Sequence, residues 1–369
     1  TPLRNPLQDN KYNNVTDLKN NLFGSFSATL KPFKWLSFSS TNTLTLTNVN
    51  TNDYLDSRTY SGNHSRNEMS NGVLKVDDER SWTFLTSNIL RLQHSFGEHN
   101  LSGLVGQEWY ERHTRLSHIE MYDQMIAGER NVGGFSKQGD KTNPAVIPTG
   151  AERESGSFSV FSEVNYNYAG KYMASAAIRA DGSSRFGKNN RWGYFPSASL
   201  AWRISGEDFF MKAKCLSFVD DLKLRASYGV TGNFQIGNYD HLSLMALDNY
   251  VLGTGNGQLV NGYKPSTIKN EDLSWEKNAM VNVGVDLQMF KGLLGLTVDY
   301  YNTNTSNMLL NVPVPHLTGY STALMNIGKV NNRGWEVALT SQKNITKDFG
   351  YSFNANYATN TNEVKALGP

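Results

Sequence analysis

Two arginines and an aspartate carry charges that could contact a polar ligand: Arg179, Asp181 and Arg185. A guanidinium presents a planar fork of donors and a carboxylate presents two acceptor oxygens, so together they can hold one ligand through several hydrogen bonds. Charged residues in neighbouring positions more commonly pair with other charges of the same protein. Both interpretations of these residues stay open at the level of sequence.

Four tyrosines supply a second kind of contact. Their rings could stack on the faces of sugar rings, because an aromatic side chain offers a flat apolar surface with a polar tip. Packing against another loop or against a covering protein is an equally good interpretation. The tyrosines lie in, or at the rim of, predicted loops: Tyr110, Tyr239, Tyr250 and Tyr263.

The position of Arg179 and Asp181 depends on a short strand with a period of two. Its apolar positions are Tyr172, Ala174, Ala176, Ile178 and Ala180, and its polar positions include Lys171, Ser175, Arg179 and Asp181. Residues 158–168 and 194–204 show the same alternation, and Ala169 with Gly170 predicts a tight hairpin turn after the first of them. One face of each strand is therefore apolar and the other is polar.

Similar segments recur along the whole chain and predict about twelve strands. They cover residues 22–30, 36–46, 82–96, 101–114, 158–168, 172–180, 194–204, 222–230, 279–289, 294–300, 335–339 and 351–357. Residues 206–221 predict a short helical or irregular connection. Long polar loops are predicted for residues 1–20, 48–80, 115–154, 232–275 and 307–332.

Strands of about ten residues with one apolar and one polar face are the signature of a transmembrane β-barrel with a wet lumen. Short turns alternate with long loops, as in barrels of the bacterial outer membrane. We therefore predict an all-β fold, a transmembrane antiparallel β-barrel of the outer membrane. Twelve strands would leave two bare edges in lipid, and both chain ends would lie on the extracellular side. We expect the chain to be an internal piece of a larger barrel.

Composition narrows the remaining possibilities. The chain has 369 residues, of which 38% are hydrophobic and 18% charged, with a net charge of +2 and one cysteine, Cys215. The near-neutral charge gives no reason to expect nucleic acid as a partner, and one cysteine cannot form an intrachain disulfide or a cysteine-based zinc cluster. Asp77, Asp78 and Glu79 could hold calcium, although a solvated acidic loop is the commoner meaning of such a run. We predict no cofactor, no metal and no catalysis.

Five stretches resemble the barrel of the SusC/RagA family of TonB-dependent outer-membrane transporters of Bacteroidetes. The longest is IRADGSSRFGKNNRWGYFPSASLAWRIS, at residues 178–205. The others are LKLRASYGVTGN at 222–233, NEDLSWEKN at 270–278, VDYYNTNTSNMLL at 298–310 and IGKVNNRGWEVAL at 327–339. The sequence lacks the N-terminal extension, TonB box, plug and final strands of that family.

The resemblance implies a plugged barrel of about 22 strands, of which residues 1–369 would be one part. It also implies import driven by the TonB-ExbB-ExbD complex, a SusD-like lipoprotein lid on the long loops, and a dimer of transporter–lid pairs. The resemblance does not fix the substrate; we expect a polar nutrient, an oligosaccharide first and a peptide second. A siderophore or cobalamin receptor is a rival with the same barrel. A soluble β-rich carbohydrate-binding adhesin would share the alternation, but its apolar faces should bury against a second sheet.

Overall fold

A computed structural model describes residues 5–64, 71–138, 149–253 and 258–368. Three short α-helices are present there: α1 (Pro6–Tyr12), α2 (Tyr60–His64) and α3 (Asp208–Lys212). The strands are β1 (Asn14–Phe33), β2 (Leu36–Leu55), β3 (Val73–Phe96), β4 (His99–Gln124), β5 (Phe135–Gln138), β6 (Thr149–Tyr168), β7 (Tyr172–Ser183), β8 (Trp192–Arg203), β9 (Val219–Asn233), β10 (Met245–Leu252), β11 (Gln258–Pro265), β12 (Glu276–Met289), β13 (Leu294–Pro313), β14 (Thr322–Asn344) and β15 (Gly350–Ala366). No helix among the described residues is long and apolar enough to cross a bilayer.

Twelve strands follow one another in a single antiparallel sheet, in the order β1-β2-β3-β4-β6-β7-β8-β9-β12-β13-β14-β15. Strand β5 pairs with β4, and β10 forms a separate hairpin with β11. Each strand of the main sheet is thus hydrogen-bonded to the next one in the chain, as a meander of hairpins requires. The predicted all-β fold and the number of main strands are confirmed.

The hairpin between β6 and β7 turns where the sequence predicts. Ala169 and Gly170 both have positive φ angles, 53° and 67°, which is the backbone of the tight turns that match strand twist. Tyr168 then pairs with Tyr172, and the register continues without a shift to Ser157 and Ser183. The alternation therefore assigns every side chain of this hairpin to its correct face.

The predicted loops 48–80, 115–154 and 307–332 are too long. Strand β2 continues to Leu55, β4 to Gln124 and β13 to Pro313. In β13 the alternation fails because a bulge near Asn307, whose φ is 57°, shifts the pairing with β14 between Thr305 and Met308. The ladder of backbone hydrogen bonds continues past that point although the side-chain period does not. Residues 65–70 and 139–148 of these loops lie outside the described part.

Two further predicted loops also contain regular structure. Within residues 1–20, α1 is followed by β1 from Asn14 onward. Within residues 232–275, β10 and β11 pair from Met245 with Pro265 to Leu252 with Gln258, and residues 254–257 are not described. The connection at 206–221 does contain short helical turns, as predicted. Polar sequence without a period thus hides both a helix and a hairpin.

The chain forms two compact units, and each has its own buried cluster. The first comprises residues 1–27, 41–86 and 110–156, and Tyr54, Leu74 and Phe135 pack together in it. The second comprises residues 28–40, 87–109 and 157–369. Its cluster combines residues of the long connections with strand residues: Phe186, Phe195, Ile236, Leu273 and Trp275.

Candidate functional site

The polar face of the sheet is the candidate ligand-contacting surface. On β1 and β2 it carries a ladder of paired hydroxyls: Ser25 with Thr43 at 3.2 Å, Ser27 with Thr41 at 3.0 Å, and Thr29 with Ser39 at 3.1 Å. On β7 and β8 the Ser175 and Ser199 hydroxyls lie 2.6 Å apart. Paired hydroxyls keep spare lone pairs, so this face remains able to bind a hydroxylated molecule or water.

Arg179 and Asp181 lie together on the polar face of β7, in an ion-paired arrangement. Arg179 Nε donates to Asp181 Oδ1 at 2.7 Å, and its Nη2 donates to Glu108 Oε2 on β4 at 2.8 Å. The guanidinium also lies over the Phe161 ring, 5.1 Å from its centre. Charge-assisted hydrogen bonds of this length fix the arginine fork. A ligand at this place would meet a closed charge triad of Glu108, Arg179 and Asp181.

Arg185 lies apart from that triad, in the connection between β7 and β8. Its guanidinium contacts Phe234, with the carbonyl oxygen 3.5 Å from Nη1 and the ring centre 5.5 Å from Cζ. Its own carbonyl oxygen is 2.9 Å from His241 Nδ1. The backbone and side chain of Arg185 thus link the connection after β7 to the connection after β9. Of the three charged residues predicted from the sequence, Arg179 and Asp181 are paired, and Arg185 lies apart from them.

The four tyrosines are dispersed. Tyr250 on β10 and Tyr263 on β11 are 67% and 70% exposed. Tyr250 pairs with Val260, three positions from Tyr263, so the two rings lie on opposite faces of the hairpin. Tyr110 is half-buried in β4, and Tyr239 is half-buried in the connection after β9. Only Tyr250 and Tyr263 present most of their ring to solvent.

A second charged cluster was not found from the sequence. Arg225 on β9 donates to both oxygens of Asp286 on β12, at 2.8 and 3.0 Å, and to Asp299 Oδ2 on β13 at 3.2 Å. Gly284 leaves the space for this contact, since a Cβ there would lie 2.3 Å from Asp299 and 2.8 Å from Arg225. The sequence does indicate that Arg225, Asp286 and Asp299 lie on the polar faces of their strands. It does not indicate that they meet, because that depends on how three strands are aligned with one another.

A recess of about 590 Å3 opens on the same face near the short turns. Its walls carry Arg225 and Lys223 together with hydroxyl and amide side chains, among them Ser175, Asn165 and Asn282. Hydroxyl and amide side chains arranged around one recess can form several neutral hydrogen bonds to the same polar molecule.

No group of three His, Cys, Asp or Glu side chains with metal-binding geometry is found within residues 5–64, 71–138, 149–253 and 258–368. Of the acidic run considered for calcium, Asp77 lies 2.6 Å from His118 Nδ1 and Asp78 accepts from Arg80 at 3.0 Å. These carboxylates are on β3, so the predicted loop around them is wrong.

The opposite, apolar face carries two bands of aromatic rings. Near the short turns His99, Tyr168, Tyr172 and Trp202 form a continuous row, with ring centres 4.8 to 6.5 Å apart. The second band includes Trp192, whose ring meets Phe158 edge to face at 6.1 Å. Trp192 and Trp202 are ten residues apart on β8. Ten residues span about 33 Å, or about 25 Å across a bilayer for a strand tilted by about 40°.

That spacing equals the height of the apolar band of an outer-membrane barrel, which aromatic girdles delimit on both sides. Residues between the bands on this face include Ile178 and Leu200, which are 52% and 65% exposed. Their exposure is explained if lipid covers this face. The geometry thus gives one face for lipid and one for water.

Comparisons with known proteins agree with this geometry. The family model "TonB dependent receptor-like, beta-barrel" matches residues 2–368. TonB-dependent receptor P39 of Formosa agariphila is 36% identical over 291 residues, which are 78% of this chain and 26% of that protein. TonB-dependent receptor SusC of Bacteroides thetaiotaomicron is 35% identical over 211 residues, 57% of this chain and 21% of that protein. The chain therefore spans about a quarter of the length of these relatives.

Among solved structures, the RagAB peptide transporter aligns with a TM-score of 0.81 and 27% identity, covering 97% of this chain and 38% of that chain. The siderophore receptor PiuA of Acinetobacter baumannii aligns with a TM-score of 0.55 and 12% identity, covering 95% of this chain and 48% of that one. The second match shows the fold alone. TonB-dependent receptors are transport proteins and not enzymes. The chain belongs to the TonB-dependent receptor-like β-barrel family, of the SusC/RagA type, and its location is the bacterial outer membrane.

Proposed function

We propose that this chain is part of a TonB-dependent importer that carries a polar nutrient across the outer membrane. The observation that carries the proposal is the two-faced sheet, with a lipid-facing side bounded by aromatic bands and a polar side of hydroxyls, amides and closed ion pairs. The polar side would line the path of the substrate and receive a plug. The TonB-ExbB-ExbD complex would supply energy by pulling on that plug.

An oligosaccharide is the substrate class we favour. A glycan is neutral and rich in hydroxyl groups, so it is held by many hydrogen bonds rather than by a strong charge. Glu108, Arg179 and Asp181 bond mainly to one another, and the hydroxyl pairs on β1 and β2 carry no net charge. Tyr250 and Tyr263 are the exposed rings on which a sugar would stack.

A peptide is the second candidate. The observation in its favour is the similarity to the RagAB peptide transporter over 97% of this chain. Peptide backbones also use neutral hydrogen bonds, so the polar side chains described above would serve either substrate. The siderophore rival has weaker support, since its match is a likeness of fold at 12% identity. Location in the outer membrane removes the soluble adhesin from consideration.

The remaining partners follow from the resemblance to the SusC/RagA family. We propose that the twelve main strands are part of one longer barrel domain, that a SusD-like lipoprotein covers the long loops, and that two such pairs form a dimer. The long connections are suited to such contacts because they carry exposed apolar side chains, including Leu242, Met245 and Val251.

The test is uptake by the full-length transporter in its own host. A strain lacking the gene is grown on size-fractionated oligosaccharides, on peptides of the same mass range, and on ferric siderophores as sole supplements. We expect loss of growth on one oligosaccharide class, restored by the wild-type gene and not by a variant without the TonB-contacting segment. Loss confined to peptides would establish the second candidate. Unchanged growth on all three, with the protein shown absent, would contradict the import proposal.

A further inference from the structure

A recess on the apolar face of β1 to β4 takes no part in the import function proposed above. Its volume is about 680 Å3, and Leu22, Leu46, Trp82, Arg80 and Arg115 are among its lining residues. We call it the arginine recess. All of its lining residues belong to the first compact unit.

The hydroxyl ladder fixes the face and register of its β1–β2 side. Ser25 lies opposite Thr43 and Ser27 opposite Thr41 on the polar face. The same register places Leu22 opposite Leu46 on the other face, and Asn20 opposite Asn48 one step nearer the long loops. Side chains facing lipid thus change from leucine to asparagine on both strands at the same level.

On β3 and β4 the side chains of this face also become more polar toward the long loops. Ser95 bonds to Asn100 and Asn88 bonds to Gln107, which sets a register that brings Trp82 opposite His113. Their rings stack with centres 6.0 Å apart and an angle of 21° between the planes. One step further toward the long loops, the same register brings Arg80 opposite Arg115.

Two arginines directly opposite each other on neighbouring strands repel. Each has one carboxylate at its Nε: Arg80 with Asp78 at 3.0 Å, and Arg115 with Glu152 at 3.8 Å. His113 lies 3.6 Å from Glu154. The two arginine side chains nevertheless remain 71% and 72% exposed, so donors of both guanidinium forks face open space. A phosphate between them would accept from both forks and remove the repulsion.

The recess therefore has two levels. An apolar and aromatic level lies toward the bilayer core. The level toward the long loops, which in outer-membrane barrels are extracellular, holds two arginines, each with one carboxylate at its Nε and with further N–H donors exposed. An amphiphile with acyl chains and an anionic headgroup matches both levels, and the outer-membrane location supplies such a molecule at that height. We propose that the arginine recess binds a phosphate-bearing lipid of the outer leaflet, with a chain against Leu22 and Leu46 and the phosphate between Arg80 and Arg115.

The experiment uses the full-length protein, delipidated in detergent and titrated with diphosphorylated lipid A under native mass spectrometry. The test variant is Arg80→Gln/Arg115→Gln. The matched control is Arg112→Gln/Arg153→Gln, which removes two exposed arginines of the opposite parity on β4 and β6. Losing the charge-assisted hydrogen bonds to one phosphate should weaken lipid A binding about tenfold in the test variant. The control should bind like wild type.

Three results would overturn the proposal. The first is equal lipid A binding by the test and control variants. The second is binding of phosphatidylcholine as tight as that of lipid A, which would indicate an unspecific apolar surface. The third is displacement of lipid A by low concentrations of inorganic phosphate, which would indicate a site for free phosphate. An Arg80→Lys/Arg115→Lys variant keeps both charges, so its binding should exceed that of the glutamine variant even if the glutamine variant folds poorly.

Discussion

Each main strand has one half within the bilayer, which begins at the short turns, and another half beyond the bilayer, which leads into the long loops. The side chains of the first half, the short-turn half, face lipid on one side, whereas those of the second, the long-loop half, do not. Within the bilayer, β7 and β8 pair without a register shift from the Tyr172–Trp202 pair near the short turns to the Gly182–Trp192 pair near the long loops, and their even positions form the lipid-facing side. Beyond Thr305 the alternation of β13 is lost, yet Leu309 still pairs with Asn326 and Val312 with Ala323. The comparison shows that lipid on one face imposes the alternation, whereas strand pairing continues wherever a neighbouring strand continues.

The two halves also differ in what stabilises them. The short-turn half is stabilised by backbone hydrogen bonds between neighbouring strands, by contact with lipid, and by ion pairs such as Arg225 with Asp286. The long connections of the second unit have a buried aromatic cluster around Trp275, which is 3% exposed. Lipid cannot stabilise loops that leave the bilayer, so they need packing of their own.

The largest effect should come from emptying that cluster. Trp275→Ala removes a ring that contacts Phe186, Phe195 and Phe234 with ring centres 5.1 to 5.4 Å away. The free energy of local unfolding of the connections should fall by about 3–5 kcal/mol, as for other buried Trp→Ala changes. Limited proteolysis and hydrogen exchange of residues 184–191 and 234–244 report it, while β7 and β12 stay protected.

The matched control for that change is Tyr250→Ala, which truncates a ring that is 67% exposed. It should change the same free energy by no more than about 0.5 kcal/mol. Equal proteolysis of the two variants would contradict a packed core beneath the long connections.

A charge between the aromatic bands should have the next largest effect. Ile178, 52% exposed, lies opposite Pro196, midway between those bands on the apolar face. Ile178→Arg should lower the free energy of unfolding in bilayers by about 2–4 kcal/mol, the cost of arginine at the midplane. The exposed Asn311 in the long-loop half of β13 is the comparison. Asn311→Arg should cost no more than about 0.5 kcal/mol, and an equal cost at both sites would refute the distinction between the halves.

A smaller, pH-dependent effect is expected at the end of β2, outside the bilayer. The Asp56 side chain is 1% exposed and accepts from Arg58 Nε at 2.8 Å, and the Arg58 guanidinium lowers the pKa of Asp56 from 3.8 to about 2. A lowered pKa stabilises the folded state above the unfolded pKa, and that stabilisation is lost as pH falls from about 4 to about 2. It amounts to at most about 2 kcal/mol.

Hydrogen exchange of the Thr59 and Gly62 amides measures this contribution, since both amides bond within the same turn. Expressed as protection factors, which divide out the intrinsic pH dependence of amide exchange, the protection of both amides should fall in Asp56→Asn at neutral pH and should no longer change between about pH 4 and about pH 2. Asp53→Asn, three residues earlier, should leave both unchanged. An Asp56→Asn protein that retains the pH dependence would show that another group causes it.

The smallest effect concerns the charge cluster on the polar face. Arg225→Gln removes the cation shared by Asp286 and Asp299, and leaves Lys223 Nζ, 3.9 Å from Asp286, as the cation beside the two carboxylates. Because the Arg225 side chain is 30% exposed, we expect a loss of about 1 kcal/mol, between the values for surface and buried pairs. Adding Asp299→Asn should recover part of the loss in a double-mutant cycle. Additive losses would indicate that the arginine acts through packing alone.

Sequence predicted the elements that lipid constrains and missed those that it does not. The parity of residues 172–180 placed Arg179 and Asp181 on the polar face, and the structure has them there. Glu108 could not be named as their partner, because its register with β7 depends on pairing across a long polar segment. The arrangement of Phe186, Phe195 and Trp275 was equally out of reach, since it joins residues from separate connections and strands.

The central claim is that each main strand has one lipid-facing and one water-facing side only within the bilayer. Spin labels at successive positions 194–202 and 305–313 of the full-length protein in bilayers, in a Cys215→Ser background, test it most directly. We predict that oxygen accessibility alternates with a period of two over 194–202, with maxima at even positions, whereas a water-soluble reagent reaches both parities over 305–313. Access of the water-soluble reagent to both parities over 194–202 would contradict the account.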